Sequence, residues 1–169
     1  TCRAVIESIS WFGLAVSVLG AYVIGSLPVA YLAGRTRGVN IFEVGTGQAG
    51  ATNIWREVSP LLSWFVFWID VGKGLGAIYL GRVMGLEASW LLLPALAVIV
   101  GHWNSLFTGF RGGDGVSTFA GVAPGLLGWT IVLPGAVILI IALGFNSRFA
   151  HPTLWAAVTG YVVFLFVAN

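Results

Sequence analysis

Charge is the scarcest property of this sequence. Asp, Glu, Lys and Arg make up 8% of its 169 residues, against about 25% in an average soluble domain, which excludes an ordinary water-facing surface. The eight basic residues are scattered along the chain, so no continuous stripe exists to follow a phosphate backbone and nucleic acid is excluded as a partner. Cysteine is nearly missing too: Cys2 stands alone, which excludes an intramolecular disulfide and leaves the redox compartment unread. The two histidines, His102 and His151, are far from metal-ligand spacing, so no metal site is expected. No Ser–His–Asp or Cys–His arrangement can be argued from the spacings either. There is no internal repeat, no low-complexity linker and no initiating methionine. The opening Thr1-Cys2-Arg3 points to a trimmed terminus rather than a signal peptide.

What fills the chain instead is apolar. Hydrophobic residues make up 58% of it, and apolar stretches recur along its whole length, leaving no room for a separate soluble unit. The expectation is an all-α integral membrane protein, a polytopic helix bundle forming one domain over residues 1–169. A helix needs about 20 mostly apolar residues to cross the hydrocarbon core. Five stretches qualify: Ser8 to Ala33, Leu61 to Val83 with Asp70 and Lys73 inside it, Ala88 to Phe107, Trp129 to Phe145, and Thr153 to Val167. Between Gly115 and Leu127 lies a shorter apolar piece broken by Pro124-Gly125, expected as a half-length helix tolerated in lipid only when packed in protein. If that piece crosses, Arg35, Arg37, Arg56, Arg111 and Arg148 fall on one side and Arg3 and Arg82 on the other. The positive-inside rule then makes the first group cytoplasmic and the N-terminus external, with Trp11, Trp90 and Trp129 together at the outer boundary, where indoles prefer to lie.

Polar residues concentrate in a few places between the spans. Gly45-Thr46-Gly47-Gln48-Ala49-Gly50-Ala51-Thr52-Asn53-Ile54-Trp55-Arg56 matches G-x-G-x-x-G and has an acid, Asp70, further on. The dinucleotide fingerprint needs a strand before it, whereas here a membrane span precedes and Asp70 lies inside the next one. Closely spaced glycines ahead of a helix still allow backbone N–H groups to converge on an oxyanion. Thr46, Thr52 and Asn53 offer further donors, and Arg56 has the planar fork that grips two phosphate oxygens. A tight turn whose glycines merely permit helix packing accounts for the spacing equally well. Asp70 and Lys73, three apart, share a helix face, and their mid-span position forces them to face protein or water. They are read as an intramembrane pair that shapes a polar site. His102, ahead of Asn104 and the loop Gly109 to Thr118, has the intrinsic acidity for proton removal near neutral pH, though a lone span histidine also serves as a packing residue.

Taken in order, these segments resemble the acylphosphate-dependent glycerol-3-phosphate acyltransferases of bacterial membranes. The resemblance runs through Gly25-Ser26-Leu27-Pro28-Val29-Ala30-Tyr31-Leu32, Val44 to Asn53 with Arg56, and Asp70-Val71-Gly72-Lys73-Gly74. It closes with Gly101-His102 and Gly109-Phe110-Arg111-Gly112-Gly113-Asp114-Gly115-Val116-Ser117-Thr118. It implies a multi-pass protein of the bacterial inner membrane whose cytoplasmic loops take an acyl phosphate and glycerol 3-phosphate and make lysophosphatidate, with no cofactor. Gly45, Thr46, Gly47, Gly50, Ala51, Thr52 and Asn53 would bind the phosphoryl end of the donor. Arg56, Arg111, Gly112, Gly113, Asp114 and Gly115 would bind phosphate, and His102 and Asn104 would orient or polarise the reacting groups.

Several positions depart from that pattern. Thr46 stands for a serine, Gln48 for an asparagine, and Ser105 for a proline, which is expected to loosen its turn. Phe149 to Thr153 differ, and the chain is expected to lack the family's last helix and basic tail. Asp114 stands for a phosphate-binding lysine. At about 5 Å and an effective dielectric of about 20, a pair of unit charges is worth roughly 3 kcal/mol, so the inversion turns attraction for phosphate into repulsion unless Arg111 compensates or pairs with Asp114. Two other classes follow from these features: a non-catalytic structural or lipid-binding subunit of a larger membrane complex, and a small transporter, which lacks the inverted repeat expected of many transporters.

Overall fold

The computed structural model of the chain describes residues 10–128, and all regular structure among them is helical. Helix α1 is Trp11–Ser26, α2 Val29–Arg35, α3 Ala51–Glu57, α4 Pro60–Val83, α5 Leu92–Trp103 and α6 Val116–Leu127. Short 3-10 turns at Ala88–Leu91 and Leu106–Thr108 flank α5. The expected spans from Trp129 and from Thr153, together with Arg3, Arg148 and His151, lie outside the described residues.

Among the described residues, three segments are long and apolar enough to cross a membrane: Trp11–Arg35, Pro60–Val83 and Ser89–Thr108. Their starts are chemically marked. The Ser10 side chain accepts the Gly13 N–H at 3.2 Å, and Ser59 with Pro60 at the first helical position opens α4, satisfying or removing donors that a helix start leaves without partners. Large apolar side chains such as Phe12, Leu19, Phe65 and Leu96 remain more than half exposed, as lipid-facing residues do on helices that are apolar all round.

Glycine sets how closely the helices approach. A Cβ at Gly25 would collide with the Val98 carbonyl, and one at Gly101 with the Tyr22 carbonyl, so α1 and α5 touch backbone to backbone. Gly74 and Gly121 do the same for α4 and α6. Small residues at crossings are the expected means of packing where lipid supplies no hydrophobic drive between helices. Two buried clusters result. Ala21, Ala77, Ile78, Leu86 and Val98 belong to one, and Ala30, Ile41, Ala49, Ile54 and Val66 form the other, beside the loops.

The first expected span is not one helix. It breaks at Leu27 and Pro28, because proline lacks an N–H and its ring restricts the residue before it. Pro124 has the opposite outcome: it sits inside α6 and does not end it. Its helix runs 12 residues, packs one face on α4, and receives the Arg82 guanidinium at the Gly125 carbonyl, 2.8 Å away. Trp11 and Trp90 meet edge to face with centroids 6.5 Å apart, at the same end as Arg82. Arg35, Arg37, Arg56 and Arg111 belong to the opposite end, where the two glycine-rich loops are hydrogen-bonded together.

Candidate functional site

The break between α1 and α2 leaves backbone carbonyls without helical partners, and buried side chains take them. Lys73 Nζ donates to the Leu27 carbonyl at 2.5 Å, and Ser105 Oγ donates to the Ser26 carbonyl at 2.5 Å. Ser105 therefore does not loosen its turn. It ties that turn to the end of α1 with a side chain 4% exposed, a role a proline could not fill.

Lys73 also forms an ion pair with Asp70, at 2.7 Å, both nearly fully buried. The His102 Nδ1 lies 3.7 Å from the same carboxylate oxygen, so the pair expected from the sequence is part of a three-residue polar group. The second Asp70 oxygen and His102 Nε2 are buried without a hydrogen-bond partner among the described residues. These residues, with Leu27, Ala49, Ser105, Thr108, Arg111 and Gly112, line a cleft. His102 Nε2 lies beneath Gly113, where a Cβ would press on it. Asn104 caps α5, and its carbonyl accepts the Tyr22 hydroxyl at 3.0 Å; it is not among the residues that line the cleft.

The first glycine loop is organised from within by Asn53. This residue is 1% exposed. Its amide donates to the carbonyls of Ile41, Val44 and Gln48 at 3.0, 3.1 and 3.0 Å, and its Oδ1 accepts the Thr46 N–H at 3.1 Å. The N–H groups of Gly47, Gln48 and Ala49 go to Val44 O, Thr46 Oγ1 and Gly112 O. Asn53 therefore offers no donor to a ligand, while the N–H groups of Gly45, Gly50, Ala51 and Thr52 have no partner among the described residues. Gly45 and Gly47, at φ of 55° and 68°, provide the left-handed backbone that bends the segment around Asn53. Gly50 and Ala51 begin α3, while Thr52 and Arg56 are exposed on it and do not line the cleft.

The second glycine loop is held from outside. Gly113 N–H donates to the His102 carbonyl and Gly112 O accepts from Ala49 N–H, both at 3.0 Å. A Cβ at Gly112 would strike the carbonyls of His102 and Trp103, so only glycine permits this approach. Thr108 Oγ1 donates to the Arg111 carbonyl. The N–H groups of Gly112, Asp114 and Gly115 have no partner among the described residues, which leaves donors for an anion at the start of α6. Asp114 Oδ1 accepts the Val116 N–H at 3.1 Å, closing a turn at the positive end of that helix. No ion pair joins Arg111 and Asp114 among the described residues. Arg111 Nη2 donates instead to the Phe42 carbonyl at 3.2 Å, and its guanidinium lies 4.3 Å from the Phe42 ring centroid.

Sequence spacing missed Phe42, Thr108 and Leu27 as site residues, and Ser105 stood out only as a departure from a proline. Leu27 carried a signal through the proline that follows it; the others meet their partners across the fold.

A family model described as Glycerol-3-phosphate acyltransferase matches residues 15–168. A protein of Synechococcus sp. (strain JA-2-3B'a(2-13)) named glycerol-3-phosphate acyltransferase is 35% identical over 148 residues, covering 87% of this chain and 73% of the relative. The crystal structure of PlsY (YgiH), an integral membrane glycerol 3-phosphate acyltransferase, is similar in its glycerol 3-phosphate form, with a TM-score of 0.78 and 29% identity over 92% of this chain and 78% of that one. Its lysphosphatidic acid form gives a TM-score of 0.74 and 28% identity, over 92% and 77% of the two chains. Because the match runs through both glycine loops and the helices that carry them, the chain belongs to the glycerol-3-phosphate acyltransferase family.

Proposed function

We propose that this protein transfers an acyl group from an acyl phosphate to the 1-hydroxyl of glycerol 3-phosphate, making lysophosphatidate for phospholipid synthesis. The observation that carries the reading is family membership over nearly the whole chain, combined with an anion-suited loop at the cleft: free N–H groups at Gly112, Asp114 and Gly115 beside the Arg111 guanidinium. The hydroxyl oxygen attacks the acyl carbonyl carbon, the carbon–oxygen bond to phosphate breaks with its electron pair leaving on phosphate, and the hydroxyl proton ends on the released hydrogen phosphate. Direct transfer needs no covalent enzyme intermediate.

In this reading the second loop receives phosphate. The first loop, with Thr46, Thr52 and Arg56 on its surface, offers the donor's phosphoryl end its exposed side chains. His102 and Asn104 act by orienting the loops, the one beneath Gly113 and the other at the end of α5. Asp70 and Lys73 form the floor. The clustering of Arg35, Arg37, Arg56 and Arg111 at one end supports loops on the cytoplasmic side of the inner membrane. The non-catalytic reading drew on Asp114 as a charge reversal, and a carboxylate that accepts the Val116 N–H without pairing to Arg111 keeps that charge at the loop; the turnover assay decides between the two readings.

The test is direct. The chain in lipid, given acyl phosphate and glycerol 3-phosphate, is expected to release inorganic phosphate and lysophosphatidate in equal amounts. No product above a boiled control overturns the proposal.

A further inference from the structure

Among the described residues, two cationic side chains line the cleft, Lys73 and Arg111. The Lys73 charge is cancelled by Asp70 at 2.7 Å, so the cleft's attraction for phosphate depends on Arg111. That residue stands three positions before Asp114, with only Gly112 and Gly113 between them. A guanidinium on so short and flexible a tether would be expected to fold onto the carboxylate and lose its charge to an internal partner. It is found elsewhere, on Phe42, 69 residues away in sequence.

We propose that Phe42 is a positioning residue: it holds the Arg111 guanidinium at the cleft and off the Asp114 carboxylate, keeping a positive charge available to the phosphate of glycerol 3-phosphate. This rests on the acyl-transfer reading given above. The Phe42 carbonyl takes one guanidinium N–H and the ring lies under its face. A guanidinium has five N–H donors in one plane, so a stacked face and one spent donor leave an edge free to grip phosphate oxygens. The ring is itself held firmly. It stacks on Tyr31 with centroids 5.6 Å apart and planes 27° apart, and packs against the buried cluster around Ile41 and Ile54. Tyr31 in turn lies under the Arg35 guanidinium, 5.9 Å from its ring centroid, so two arginines are braced by one aromatic stack. Asp114 has its own partner in the Val116 N–H, which lowers its pull on Arg111 from the other side.

The test uses the full chain in lipid and compares the wild type, Phe42→Leu, Phe42→Tyr, Asp114→Asn and Phe42→Leu/Asp114→Asn. Leucine fills the core position but has no π face; tyrosine retains one. Calorimetric titration with glycerol 3-phosphate is read beside KM and kcat. Phe42→Leu is expected to raise Kd and KM by about threefold to tenfold with kcat within about twofold, and Phe42→Tyr to restore both. In the Asp114→Asn background the leucine effect is expected to shrink below about twofold, since no carboxylate remains to capture Arg111. An unchanged Kd in Phe42→Leu, or the same factor in both backgrounds, overturns the inference. Turnover by the wild type with no Phe42 effect overturns this inference alone. Binding that follows the expected cycle without any product overturns the acyl-transfer reading alone, and no binding by the wild type overturns both.

Discussion

The two glycine-rich loops meet at the Ala49–Gly112 hydrogen bond, yet they are held in shape in different ways. The loop at Gly45 to Gly50 is organised from within: Asn53 reaches the carbonyls of Ile41, Val44 and Gln48 and the Thr46 N–H, and the N–H groups of Gly47, Gln48 and Ala49 go to nearby acceptors. The loop at Arg111 to Gly115 is braced by its surroundings, with His102 beneath it, Ala49 beside it and Phe42 under its arginine. It leaves the N–H groups of Gly112, Asp114 and Gly115 without an internal partner, as the first loop leaves those of Gly45, Gly50 and Ala51. Similar composition does not imply similar support: one loop is shaped by a buried side chain of its own segment, the other by residues distant in sequence.

The contrast can be broken most severely beneath the second loop. Lys73→Met should strand the buried Asp70 carboxylate below His102 and cost about 3–5 kcal/mol, with Asp70→Asn/Lys73→Met recovering part of the loss because no charge is left unpaired. Thermal unfolding in mild detergent reads this, and a double variant no better than the single one would remove the ion pair from the account. Next is Asn53→Ala, which leaves three carbonyls and an N–H unserved and should cost about 3 kcal/mol. Hydrogen exchange should then speed up at Thr46 while Gly113 stays protected; equal deprotection of both loops would show that they are one unit rather than two. The smallest effect is expected at Asp114→Ala, where loss of the turn at the start of α6 costs about 0.5–1 kcal/mol. The same change removes a negative charge beside the phosphate site, so KM for glycerol 3-phosphate should fall by about twofold to tenfold. A rise in KM would mean that the carboxylate helps to shape the site more than it repels the substrate.

Much of the scaffold was legible from composition and spacing. The second span was expected from Leu61 to Val83 and the helix runs Pro60–Val83, because a long apolar run with a capping Ser59 and Pro60 leaves little choice of start. The short piece after Gly115 is a half-length helix, but Pro124 lies within it, since local pattern does not reveal that a neighbouring helix and Arg82 will support the freed backbone. The break at Leu27-Pro28 was hidden inside a continuous apolar run. Its consequence, a pair of carbonyls open to Lys73 and Ser105, depends on residues 46 and 79 positions away. The site residues divide the same way. Asp70 and Lys73 could be paired from their spacing on a helix, whereas Asn53 reads identically as ligand donor or loop organiser until its acceptors are in view.

Sequence alone determined that this chain enters lipid and which few charges had to find partners, because the cost of burying polar groups in hydrocarbon acts on every residue locally. Only the tertiary structure decided which partners they found. Arg111 had Asp114 close in sequence and Phe42 far away, and the fold brought a carbonyl and a ring face to it while Val116 engaged the carboxylate. Hydrogen bonds and cation–ring contacts reach only a few ångströms, so their outcome is set by proximity in space.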